Sequence, residues 1–238
     1  MTTLPQQEVG VAALSRLLAL GFSPPREEGW AEIGALARGL GARPGAAPEL
    51  AELLALLGET GPVGLELEFE RLFSGETPCP PYEGSYAVDP FRSAREMADV
   101  SGFYLAFGAE PGGPAAERPD HIGCELEFLS FLALKRLGAF AAGEAELEEI
   151  CREAEDAFLC DHLGRFGPPF FLDVREHTEA SVYDCLARLG ERFLSKEVAR
   201  RGLEPESLRP RPRPFASTDA FSCGDSCGLP EALARSSP

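Results

Sequence analysis

Glu117-Arg118-Pro119-Asp120-His121-Ile122-Gly123-Cys124-Glu125-Leu126-Glu127-Phe128 is the stretch from which the rest of the chain is read. Pro119 closes a loop rich in glycine and proline, and it biases the residue before it away from helix. Ile122, Leu126, Leu129 and Ala133 then recur at helical spacing. Asp120 is placed to cap the free N–H groups of that helix, and its charge suits the positive helix end. His121, one of three histidines, follows in the first turn. The helix dipole disfavours its imidazolium and Asp120 favours it, so the sequence leaves that balance open. Glu125 lies one turn on, on the same face. These residues read either as a helix cap or as a polar, acidic cluster suited to a guanidinium or a backbone amide.

Outward from this point the pattern is helical almost throughout. Leu14, Leu17 and Leu18 form one stripe, ended by Gly21 and Pro24-Pro25. Trp30, Ile33 and Leu36 mark a second helix, closed by Gly39, Gly41 and Pro44. Leu50, Leu53, Leu54 and Leu57 mark a third, and Leu65, Phe69, Leu72 and Phe73 a fourth. Residues 75–91 exclude regular helix through Pro78, Pro80, Pro81, Gly84 and Pro90, while Tyr82 and Tyr86 supply aromatic anchors. A fifth helix runs through Met97, Val100, Tyr104 and Phe107. Beyond the opening stretch, one helix carries Leu147, Ile150, Cys151, Ala154 and Phe158, and a last one carries Val182, Cys185, Leu186, Leu189 and Phe193. Between those two, Phe166 to Phe171 with Pro168-Pro169 reads as a break. No segment sustains period-two alternation, so a sheet is not expected. The expectation is an all-α, single-domain bundle over residues 1–202, followed by a flexible Pro/Arg-rich, Cys-containing tail over 203–238.

The bulk composition narrows the function classes. The 238 residues suffice for one sizeable core. A net charge of −17 argues against nucleic acid as a partner. The segment 199–238 holds six arginines against five carboxylates, so the acidity belongs to the folded body. No apolar run approaches the ~18 residues that span a bilayer. No basic region followed by an apolar run opens the chain, so no signal peptide is expected and a cytoplasmic place is.

Catalytic signatures are missing from the sequence. There is no G-x-S-x-G, no H-E-x-x-H, no P-loop and no G-x-G-x-x-G, and no catalytic residue or cofactor is assigned. His121, Cys124 and Glu125, with Cys160 and His162, could share a metal by helical spacing. No second paired-ligand motif accompanies them, so no metal site is assigned. Cys124, Cys151, Cys160 and Cys185 read as small apolar fillers of helices. Cys223 and Cys227 form a C-x3-C pair in the tail, the basis of an alternative reading as a metal- or thiol-dependent redox protein.

In order and spacing the motifs resemble the TorD-type family of cytoplasmic molybdoenzyme maturation chaperones. The resemblance runs through Phe69 to Phe73, Pro80-Pro81-Tyr82-Glu83-Gly84-Ser85-Tyr86, Tyr104 to Gly108, Pro119-Asp120-His121-Ile122 with Glu125-Leu126-Glu127-Phe128, then Phe158-Leu159-Cys160-Asp161-His162-Leu163 and the helix of Tyr183. It covers about residues 10–200, and the tail lies outside it. The resemblance implies an all-helical, non-enzymatic protein with no cofactor of its own. It also implies a client: the apo-form of a molybdopterin oxidoreductase catalytic subunit, bound through its twin-arginine signal peptide until cofactor insertion and then released for export. Such a chaperone is expected as a monomer or homodimer, without nucleic acid or membrane insertion. Carried over, the peptide-binding residues are Leu72, Phe73, Pro81, Tyr82, Tyr86, Pro119, Asp120 and His121, with Glu125 beside them. An acidic body with an aromatic, proline-lined groove complements a peptide that is basic and then apolar.

Overall fold

Leucine and phenylalanine at three- and four-residue spacing leave each helix with an apolar face, and the fold is the arrangement that buries these faces on one another. The computed structural model describes residues 4–75, 77–87, 90–109 and 117–208. Among them are eight α-helices and no strand: α1 Leu4–Gly21, α2 Glu27–Gly41, α3 Glu49–Phe73, α4 Pro90–Ala106, α5 Ile122–Ala142, α6 Ala145–Phe158, α7 Gly164–Glu176 and α8 Val182–Arg201. The all-α expectation is met. α1 packs along α5, α5 on α6, α7 on α8, and α2 and α3 close the bundle between α1 and α8. The third and fourth expected helices are the two halves of α3. They meet at Gly61, whose φ of 68° only glycine adopts freely, with Pro62 opening the second half.

The centre is aromatic. Phe22, Phe73, Phe170, Phe171 and Tyr183 are buried together, with the Phe22 and Phe170 rings 5.2 Å apart and Phe73 and Tyr183 5.4 Å apart, both edge to face. A second cluster joins Tyr104, Phe128 and Phe158, with the last two rings 4.9 Å apart. A buried ion network ties four helices. Arg136 of α5 reaches Glu8 of α1 at 3.0 Å and Glu155 of α6 at 3.3 Å, and Arg201 of α8 holds Glu155 at 2.7 Å.

The expected break at Phe166 to Phe171 is not there. Pro168 and Pro169 lie inside α7, which continues to Glu176. A proline inside a helix leaves the carbonyl four residues back without its donor. For Pro169 that carbonyl is Arg165's, and it accepts from Leu208 N at 2.9 Å. The chain after α8 thus returns to satisfy the gap, and Leu203 and Leu208 pack on the core. Helices α6 and α7 also run into one another through a π-helical segment, Leu159–Leu163. At the junction a Cβ on Gly164 would stand 2.2 Å from the Leu159 carbonyl oxygen, so only glycine fits there.

Candidate functional site

The Pro/Tyr loop and the start of α5 are joined directly. Tyr82 and His121 form an antiparallel bridge, in which Glu83 N donates to Asp120 O and Ile122 N donates to Pro81 O, each at 2.8 Å. Prolines leave the loop few donors, and two of those it keeps, the amides of Glu83 and Gly84, are spent on this junction. Residues Glu83–Tyr86 then make one 3-10 turn.

Asp120 is fully buried, yet it does not cap α5. Its Oδ2 accepts from Gly84 N at 3.1 Å and from Arg118 Nη2 at 2.7 Å, while Oδ1 accepts from Arg118 Nε at 2.9 Å. It therefore holds one guanidinium and one backbone amide. The capping residue is His121, whose Nδ1 accepts from Gly123 N at 3.0 Å. The physical reason is the bridge, which turns Asp120 toward the loop and leaves the next side chain facing the free N–H groups. Burial pushes the His121 imidazole down to about 4, so it is neutral at pH 7, with its proton on Nε2.

The sequence-derived site residues separate by depth. Leu72, Phe73 and Tyr86 are core residues, and Tyr86 donates its hydroxyl to Asp173 at 2.8 Å. Pro81, Asp120, His121 and Glu125 are also buried. Tyr82 and Pro119 are half-buried and reach the surface. Arg118 lies over the Tyr82 ring at 4.5 Å, and the Tyr82 hydroxyl donates to Glu117 at 3.1 Å. The structure thus gathers Pro81, Tyr82, Pro119, Asp120, His121 and Glu125 at one junction, with Leu72 and Phe73 in the core behind.

Beside this junction opens a cleft of about 780 Å³. Leu20, Trp30, Tyr104, Phe128 and Phe131 line it, and Glu28, Glu32, Glu117 and Glu127 stand around them. Arg16 bridges Glu32 at 2.9 Å and Glu127 at 2.5 Å, whereas Glu28 has no cationic partner among the described residues. Sequence reading did not assign Trp30, Glu28 or Glu117 to the site: Trp30 and Glu28 come from a helix that shares no motif with the loop, and Glu117 precedes the motif without belonging to it.

A buried polar group lies on the other side of the loop. His162, in the π segment, places Nδ1 3.0 Å from Glu83 Oε2, and both side chains are fully buried. Burial raises the Glu83 carboxyl, and it raises that of Glu125 well above the usual range, with the charges of Glu83 and Asp120 adding to the rise. Neither oxygen of Glu125 has a hydrogen-bond partner among the described residues. The sequence-derived metal set of His121, Cys124, Glu125, Cys160 and His162 is not brought together. His162 instead meets Glu83 and Glu96.

Among the described cysteines, Cys79, Cys151 and Cys185 are buried and Cys124 and Cys160 half-buried, all of them free thiols. Burial pushes Cys79, Cys124 and Cys185 up to about 12, which keeps them protonated and unreactive at neutral pH. Cys223 and Cys227 lie outside the described residues, as does the tail from 209 onward. No described helix is long and apolar enough to cross a membrane.

Comparison with known proteins follows the same lines. The chain is 31% identical over 150 residues to a chlorate reductase assembly chaperone protein of Ideonella dechloratans, which covers 61% of this chain and 74% of that protein. It is 31% identical over 137 residues to a selenate reductase assembly chaperone protein of Thauera selenatis, covering 56% and 69%. A solved structure of a candidate redox enzyme maturation protein from Archaeoglobus fulgidus superposes with a TM-score of 0.56 and 26% identity, over 77% of this chain and 93% of that one. The named relatives are assembly chaperones, not catalysts, in agreement with the non-enzymatic expectation. The TorD-type resemblance is borne out: residues 41–172, more than half of the chain, match the family described as nitrate reductase delta subunit, and the chain belongs to that family.

Proposed function

We propose that this protein is a cytoplasmic assembly chaperone for a molybdopterin oxidoreductase, and that it holds the client's twin-arginine signal peptide in the cleft beside Tyr82 and Pro119. The observation that carries the reading is the cleft itself, apolar and aromatic within and acidic around. A twin-arginine peptide presents guanidinium groups and then an apolar run, and the cleft offers a partner for each. Among the described residues Glu28 has no cationic partner, and Glu117 is engaged only by the Tyr82 hydroxyl. Trp30, Tyr104 and Phe128 supply the apolar bed. Asp120, His121 and Pro81 act one layer down by fixing Tyr82 and Pro119 in place. Leu72, Phe73, Tyr86 and Glu125 act deeper still, as the support of that layer.

Calorimetry with a synthetic peptide that carries a twin-arginine signal motif followed by an apolar run tests this. The double variant Glu28→Gln, Glu117→Gln should weaken binding about tenfold, near 1.4 kcal/mol, and flatten its salt dependence. Replacement of both peptide arginines by alanine should have the larger effect. Equal affinity for the native and alanine peptides would overturn the signal-peptide reading. Unchanged affinity in the double variant alone would move the site away from this cleft.

A further inference from the structure

We propose that His162, Glu83 and Glu96 form a site for one divalent first-row metal ion. The site does not depend on the peptide reading. One ligand atom from each residue lies within 4.8 Å of the other two. His162 and Glu83 are fully exposed to nothing but protein, and Glu96 is buried on the adjoining face of α4.

Acidic groups gather in many proteins without a metal, so the case rests on a carboxylate oxygen that has nowhere else to go. Glu83 Oε1 is buried and lacks a hydrogen-bond partner among the described residues. A buried carboxylate oxygen without a partner is costly, and a cation relieves that cost. Arg165 Nη1 is 3.8 Å from Glu96 Oε1, and its charge also reaches Glu83, but it makes no hydrogen bond to Glu83 Oε1. The segment that delivers His162 is a π-helical insertion, a feature that re-aims a side chain at the expense of regular hydrogen bonding.

The distances suit an ion. Glu83 Oε2 and His162 Nδ1 are 3.0 Å apart. Two bonds of about 2.1 Å meeting at a right angle span roughly 3.0 Å, and opposite ligands span roughly 4.2 Å. Bringing in the third atom from within 4.8 Å therefore asks for a side-chain adjustment of about half an ångström. With Nδ1 on the ion, Nε2–H faces Asp99 Oδ2 at 3.7 Å, the carboxylate that orients a ligating histidine from behind. One imidazole and two carboxylates suit Mn²⁺, Fe²⁺ or Zn²⁺. Bound there, the ion would link the 3-10 turn, α4 and the π segment, and so stiffen the loop that carries Tyr82.

The test uses the full chain, stripped with a chelator and titrated with Mn²⁺ alone, followed by calorimetry and by loss of the free-ion electron paramagnetic resonance signal. Mn²⁺ avoids the thiols. One saturable equivalent is expected, persisting in salt that screens surface carboxylates. His162→Gln and Glu96→Gln should each weaken it at least tenfold while circular dichroism of the metal-free protein is unchanged. If His162→Gln does not fold, Glu96→Gln decides. Absence of a saturable equivalent, diffuse binding lost in salt, or wild-type affinity in Glu96→Gln would each overturn the site.

Discussion

Replacing Asp120 by alanine should destabilise the fold by about 2 kcal/mol, and the sum can be worked bond by bond. The side chain accepts from Gly84 N at 3.1 Å and from Arg118 at 2.9 and 2.7 Å. Loss of the first leaves a half-buried amide unpaired, worth about 1–2 kcal/mol. The ion pair counts for less, because Arg118 is 47% exposed and takes up water when released, so it adds about 0.5–1 kcal/mol. For a chain of this size about 2 kcal/mol lowers the melting temperature by roughly 4–8 °C. Asp120→Asn keeps a neutral acceptor for Gly84 N and should cost under about 1 kcal/mol. Urea denaturation of the three proteins, with thermal melts alongside, measures both differences. An alanine variant as stable as wild type, or an asparagine variant as damaging as alanine, would refute the assignment of the cost to the Gly84 amide.

Glu125 and the Arg136 network give two further tests. The Glu125 carboxyl is raised well above its unfolded value by burial, so the native state holds more protons than the unfolded state above about pH 4.5. Its contribution to stability is full below that pH and is lost as pH rises through the folded value. Glu125→Gln, a permanent mimic of the protonated form, should flatten the decline between pH 5 and pH 8 in urea midpoints and be no less stable at pH 7; an unchanged slope would refute this. Arg136→Met should cost about 3 kcal/mol at pH 7.5, since it strands Glu8 and part of Glu155 in the interior. The cost should shrink at pH 5, because burial raises both carboxyls, that of Glu155 to about 7, and protonation removes the stranded charge. A pH-independent cost would show that packing, not charge, is lost.

Helix positions were legible because burial on one face writes itself into local spacing. Leu14, Leu17 and Leu18 announce α1, and Val182, Leu186, Leu189 and Phe193 announce α8. Pro168-Pro169 misled for a long-range reason: the donor that rescues the Arg165 carbonyl is Leu208 N, which no local window contains. The cap was misassigned for a similar reason, since the pairing of residue 82 with residue 121 decides which way Asp120 turns. Of the candidate site, the junction of the Pro/Tyr loop with α5 was legible through motif order. The meeting of Glu83 with His162 was not, because 79 residues separate them and the sequence grouped His162 with Cys160 and the start of α5 instead. Glu28 was hidden as a surface member of a helix read for its core face, and Trp30 was read only as part of that core face, although it also lines the cleft.

The π segment has a consequence for the long helical run from Ala145 to Glu176. One added residue advances a helix by about 100°. Before the segment, the buried stripe of α6 faces α5; after it, that of α7 faces α8. A single helix thus serves two partners that straight geometry would set on different sides, and the insertion acts as a change of phase. Its length is then as constrained as its sequence. Removing one residue between Leu159 and Leu163 would restore regular winding and rotate everything from Phe166 onward out of register with α8, whatever residue is removed.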